Sequence, residues 1–352
     1  MTILATMLHQ EFVLSVADRR SVVQRGNQFE PEDEKFNKHI AFAFADVRGA
    51  VTYTGFAKWK RRNGKYVTTD KVVADALSKA ANCGNNLGTA LHRVAVSLAE
   101  ESNHIRSMYP KSPPIFTVVF AGYTRLFADP WIAVVTDQEY VPAWVNEEKQ
   151  AEVPAPKPFR IYFAVPSKAR VCLNGYTSAL PPKTTEDIES LLSVPGVQAY
   201  DVANLAVSRI RRASSATSAV GSRVSAIVFP AHGWVDTGLW AQPREPLAAA
   251  MPRMVYPDGR QWSPSEMILE FESCGISRFQ RHSLLYQALL DSRLSVRWKR
   301  RLRRTKSGDL VAPTVYQLIG ILLYPNVWQA KGMPKTRKPT SASTGAPPAA
   351  PG

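Results

Sequence analysis

Threonine directly follows the initiator methionine in MTILATMLHQEFVLSVADRR, and that pairing can do chemistry. Thr is small enough for Met aminopeptidases to remove Met1, which leaves Thr2 with a free α-amine. Such an amine has an intrinsic pKa of about 7.7–8.0 and can serve as a general base near neutrality. The hydroxyl it would activate belongs to the same residue, so nucleophile and base are held together covalently, an established form of nucleophilic catalysis. The plain alternative is an ordinary strand start, and the Met-Thr pair taken alone favours it. A secretory leader is not expected. No basic segment comes first, His9, Gln10 and Glu11 interrupt the apolar run, and no small-residue cleavage site follows.

Other chemistries find less support. His92, His104, His232 and His282 form no HExxH or paired spacing, so no metal is expected. Gly-rich phosphate loops are absent, and no cofactor is expected. Cys83, Cys172 and Cys274 are odd in number and far apart, which predicts reduced thiols in a cytoplasmic setting, each acting as a small buried hydrophobe. No stretch approaches the roughly 20 apolar residues that span a bilayer.

The net charge is +15, from 44 basic and 29 acidic residues, and it is concentrated late in the chain. Between 291 and 340 twelve cations face two carboxylates, and RWKRRLRRTK sets Arg297, Lys299, Arg300, Arg301, Arg303, Arg304 and Lys306 around Trp298 and Leu302. Such a helix fits a nucleic acid, an anionic surface or an acidic partner. A solvated helix face is the plainer reading, since no base-stacking pattern accompanies it.

The elements that must position these groups follow from apolar periodicity. TILATML (2–8) and FVLSVAD (12–18) predict two strands joined through His9-Gln10-Glu11. QRGNQFEPEDEKFNK predicts a charged loop, and HIAFAFADVRGAVTYTG a second hairpin turning near Asp46 to Gly49. Thr69-Asp70 caps a helix that Cys83-Gly84-Asn85 breaks; the stripe Leu87, Leu91, Val94, Ala95, Leu98 marks a second helix to about Ser107. Strands are predicted at 115–122, 131–137, 159–165 and 170–180, with the Pro-rich 145–158 as a surface loop. Helices at 184–192 and 201–213 precede a closing strand at 224–230. Strands and helices segregated in this way predict an α+β domain over 1–245. A basic, mainly helical extension over 246–330 and a disordered Pro/Ser/Ala-rich tail over 331–352 complete the expected organisation.

The opening segment TILATMLHQEFVLSVADRR resembles the start of proteasome β-type subunits, members of the N-terminal-nucleophile hydrolase superfamily. That family begins with Thr on its first strand and ends its second strand in Asp-x-Arg, which here are Asp18 and Arg20. It continues with a Lys opening the third strand, matched by Lys38 with Lys35 as the alternative, and a strand ending in Gly, matched by Gly55 in AVTYTGFA. The likeness covers about residues 2–240. It implies a four-layer αββα sandwich, no cofactor, possible self-assembly, and hydrolysis of an amide, most simply a peptide, through an acyl-enzyme on Thr2.

The resemblance also implies roles. Lys38 as an ammonium would lower the pKa of the Thr2 hydroxyl and amine, Asp18 would keep Lys38 charged, Arg20 would brace the acidic site, and the Gly55 amide would face the oxyanion. Asp18 with Arg20 also fits a strand-end ion pair, Lys38 a solvated strand start, and Gly55 a turn. One departure stands out: the family's Asp near the end of the last long helix is missing from RRASSATSAVGS, where Ser218 stands in for the accompanying Ser. Gly175 and Ser178 in NGYTSAL correspond loosely to the family's serine-bearing turn. The rivals to hydrolysis are a non-catalytic scaffold of the same fold and binding of nucleic acid or an acidic partner through the basic helix.

Overall fold

A computed structural model describes residues 2–25, 28–33, 36, 38–61, 63–108, 115–124, 129–138, 151–231, 238–240 and 253–262. The first hairpin joins β1 (Ile3–Leu8) to β2 (Phe12–Asp18), with Leu4 opposite Ala17 and Leu8 opposite Val13. Every residue of both strands is buried. A continuous apolar run of this kind is what a strand covered on both faces requires.

Six further strands follow before the helices. β3 (Ser21–Arg25) and β4 (Gln28–Asp33) form a two-stranded hairpin, so a strand pair replaces the expected charged loop. β5 (His39–Ala43) pairs with β6 (Val47–Gly55); the turn is tighter and earlier than expected, closed by the Val47 carbonyl accepting from the Phe44 amide at 2.8 Å. Another short hairpin, β7 (Lys58–Lys60) and β8 (Tyr66–Thr68), turns through Asn63-Gly64. That Asn-Gly pair between strand formers was the overlooked signal.

Helices α1 (Thr69–Cys83) and α2 (Leu87–Met108) match the predicted stripe. The Thr69 hydroxyl does not cap α1; it donates to the Phe56 carbonyl and so ties the helix start to the chain just after β6. β9 (Phe116–Thr124), β10 (Pro130–Thr136) and β12 (Arg160–Ala164) follow, with β11 (Ala151–Val153) pairing onto β12 inside the segment expected to be loop. β13 (Arg170–Gly175), α3 (Thr184–Leu192), α4 (Ala199–Ala216), β14 (Val224–Pro230) and β15 (Gly238–Trp240) come next. The described chain runs past residue 245: β16 (Arg253–Val255) lies parallel to β5, and β17 (Gln261–Trp262) pairs with β16.

Two main sheets result, ordered β13-β1-β2-β14-β15 and β11-β12-β10-β9-β6-β5-β16-β17, in a mixed α+β fold. Ile3, Ala5 and Met7 pack with Ile188 of α3 and Val202, Val207 and Ile210 of α4. Val51, Phe116 and Phe120 pack with Val73 and Leu77 of α1 and Leu91 and Leu98 of α2. A third cluster joins the sheets to each other through Leu4, Leu8, Val13 and Ile227 on one side and Ala50, Val119, Tyr123 and Ile132 on the other. Each large aliphatic side chain buried there contributes about 1.5–3 kcal/mol. Residues on the same faces that carry polar groups, Thr2, Lys38, Thr54 and Thr117, gather towards one end of this interface.

Candidate active site

Thr2 leads into β1 and is pinned from behind. Its carbonyl accepts from the Tyr176 amide at 2.8 Å. Gly175 beside it has φ +87°, and a methyl there would lie 1.9 Å from the Thr2 carbonyl oxygen and 3.2 Å from Thr54 Oγ1. Only glycine combines that backbone conformation with so close an approach. The same contact brings the end of β6, and hence Gly55 at φ +106°, to the neighbourhood of Thr2.

Asp18 closes the open end of the β1–β2 hairpin. Its Oδ1 accepts from the Ile3 amide at 2.8 Å, and Oδ2 accepts from the Arg20 and Gly221 amides, each at 3.1 Å. Three backbone donors thus fix a carboxylate that has no exposure. Lys38 arrives from the residue before β5. Its Nζ donates to Thr2 Oγ1 and, at 2.7 Å, to the Arg20 carbonyl, and lies 3.5 Å from Asp18 Oδ2. Three ammonium hydrogens meet three acceptors.

Lys38 is 1% exposed. Burial drives its pKa below the ordinary lysine value, with Asp18 opposing and Arg19 and Arg20 adding to the decrease. Asp18 thus acts in the expected direction, favouring the charged amine, while desolvation works against it. His39, the next residue, is pushed down to about 3, mainly by burial; its Nε2 donates to the Ser15 carbonyl at 3.1 Å and its Nδ1 lies 3.2 Å from Ser225 Oγ. A neutral imidazole there braces the strand that carries Lys38.

Arg20 lies beside the Lys38–Asp18 pair. Its backbone serves Asp18 and Lys38, while Nη1 donates to the Ser218 carbonyl at 2.7 Å. Ser218 is exposed and meets Arg20 through that carbonyl. The turn after α4 reaches the site through the Gly221 amide. Arg19 escaped sequence reasoning; fully buried, it donates from Nε to the Phe36 carbonyl at 3.3 Å and steadies the approach to Lys38. Gly221 and Gly175 act through backbone, which carries no residue-type signal beyond glycine itself.

Lys35, His232, His282, Cys274 and the basic residues Arg297 to Lys306 lie outside the described residues. Cys172 is buried, but Cys83 is exposed, contrary to expectation, with Arg93 Nη2 3.7 Å from its sulfur. Among the described residues no group of His, Cys, Asp or Glu could hold a metal ion, and no helix is long and apolar enough to cross a membrane.

No family model matches the chain, and no curated protein matches it. Solved structures do. Anbu (ancestral beta-subunit) from Yersinia bercovieri shows 10% identity and a TM-score of 0.40 over 65% of this chain and 81% of that one. A helical assembly of the Anbu complex from Pseudomonas aeruginosa shows 10% identity and a TM-score of 0.42 over 81% of this chain and 96% of its own. Anbu from Hyphomicrobium sp. strain MC1 gives 10% and 0.39. The assignment to proteasome β-type subunits is thereby corrected as too specific: these similar structures are Anbu proteins, and the similarity is low. Roles for the residues rest on the geometry alone.

Proposed function

We propose that cleavage of the bond before Thr2 makes this site an N-terminal threonine amidohydrolase, in a chain organised as a four-layer αββα sandwich. The observation that carries this reading is Lys38 Nζ on the Thr2 hydroxyl with Asp18 behind it. Lys38 Nζ, seated on the hydroxyl, is placed to receive its proton whenever the amine is itself unprotonated; the freed Thr2 amine supplies a second base with a pKa of about 7.7–8.0. Thr2 Oγ1 attacks the amide carbonyl, forming a C–O bond and an oxyanion that the Gly55 amide stabilises. Collapse breaks the C–N bond, the departing amine takes the stored proton, and water then hydrolyses the Thr2 ester to regenerate the hydroxyl. Peptide is the favoured substrate class, and self-association is part of the same reading.

Thr2 is 3% exposed in the chain that retains Met1. That burial favours one competitor, a closed scaffold without catalysis. Fluorogenic peptide hydrolysis with native chain and Thr2→Ala tests the proposal. Activity confined to the native chain supports it, whereas activity that survives Thr2→Ala overturns it.

A further inference from the structure

The β7–β8 hairpin begins three residues beyond Gly55, a reach of at most about 10 Å along the chain. Its two faces differ sharply. Trp59 and Val67, 3% and 5% exposed, point into the core, where Trp59 meets Phe116 edge-on and donates from Nε1 to Glu101 at 2.7 Å. The opposite face presents Lys58, Lys60 and Tyr66, with the Lys58 ammonium 4.7 Å from the Tyr66 ring centroid and Tyr66 66% exposed. Lys65 follows the Asn63-Gly64 turn and is also exposed. Residues 56–68 contain five cations and no carboxylate.

Glu101 neutralises Arg61, yet among the described residues Lys58, Lys60 and Lys65 make no ion pair. The hairpin is held in place as well. Thr69 binds the Phe56 and Ala57 carbonyls, and His104 Nε2 lies 3.4 Å from the Lys60 carbonyl. A cationic ledge with an exposed aromatic therefore starts within about 10 Å, along the chain, of the glycine assigned to the oxyanion. Resting on the hydrolase reading above, we propose that this ledge selects acidic peptides, with Lys58, Lys60 and Lys65 taking substrate carboxylates beside the scissile bond. The positive field draws such substrates in and fixes their register, the usual contribution of charge at a recognition surface.

Full-length Thr2→Ala protein reads binding without turnover. A fluorescent peptide carrying Glu residues is compared with the same peptide bearing Gln in their place, by anisotropy at low and high salt. The Glu peptide is expected to bind roughly tenfold tighter at low salt, an advantage that shrinks as salt screens exposed charges. The preference should vanish in the additional triple variant Lys58→Gln, Lys60→Gln, Lys65→Gln, whose altered side chains are all exposed. Equal binding of the two peptides, an unchanged preference in the triple variant, or tighter binding of a single-stranded oligonucleotide would overturn the inference. Labelling of Thr2 by a threonine-directed electrophile reports on the hydrolase reading separately. Labelling without Glu preference removes the ledge inference alone; Glu preference without labelling removes the hydrolase reading and keeps the ledge.

Discussion

Strand β6 carries a buried cation at one end and serves a second at the other. Arg48, 6% exposed, donates from Nη2 to the Pro230 carbonyl and, at 2.8 Å, to the Ala231 carbonyl, and its guanidinium lies 5.8 Å from the Tyr123 ring centroid. Seven residues on, roughly 23 Å at strand rise, Thr54 and Gly55 border the Thr2–Lys38 pair. Arginine keeps its proton in any protein, so Arg48 can only fasten β14 to β6. Lysine gives way to desolvation, and Lys38 is set against a hydroxyl. Burial therefore makes a tie at one end and, in the proposed reading, a base at the other, and residue type decides which.

Lys38→Arg breaks that contrast most severely. The cation and its acceptors persist, but the proton can no longer move, so hydrolysis should fall by about 10²–10⁴-fold and electrophile labelling of Thr2 should disappear. Lys38→Met, checked by circular dichroism, separates that loss from misfolding; an active Lys38→Arg enzyme would end the distinction.

Asp18→Asn comes next. It leaves Lys38 without its charge partner and unsettles the acceptor of three amides, a cost of about 3–5 kcal/mol in urea unfolding. Because Asp18 raises the Lys38 pKa, its removal should move the ascending limb of the pH–rate profile to lower pH. A shift to higher pH would contradict the assignment of that limb to Lys38.

Arg48→Met sharpens the comparison from the other end. Two carbonyls lose their donor, so stability should drop by about 1–3 kcal/mol while kcat/KM per folded molecule stays put. His39 gives the smallest effect per step. Its folded pKa of about 3 lies below the 6.5 of the free side chain, so its stabilisation is complete above pH 6.5 and is lost as pH falls from there towards 3. Melting across that window should show up to about 1.4 kcal/mol lost per pH unit, and His39→Gln should flatten the slope.

Legibility differed along the chain for physical reasons. β1 and β2 are predominantly apolar runs around a polar turn, and α1 and α2 carry a clear helical stripe, so both could be read directly. β3 and β4 were hidden because charged residues and Pro31 occupy a pair outside the main sheets, where no apolar alternation is imposed. β11 and β16 are short strands whose pairing depends on a partner elsewhere in the chain rather than on their own composition. In the site, the meeting of Thr2 with Lys38 spans 36 positions and was reachable only through a resemblance now corrected in its particulars. The Gly221 amide on Asp18 spans 203, and a backbone donor leaves no trace in side-chain chemistry.

Intact-mass and N-terminal peptide analysis of the purified chain after exposure to a threonine-directed electrophile tests the central claim most directly. The account predicts a chain beginning at Thr2 with a single adduct on that residue, lost in Lys38→Arg. A chain still carrying Met1 ahead of an unmodified Thr2 would contradict it.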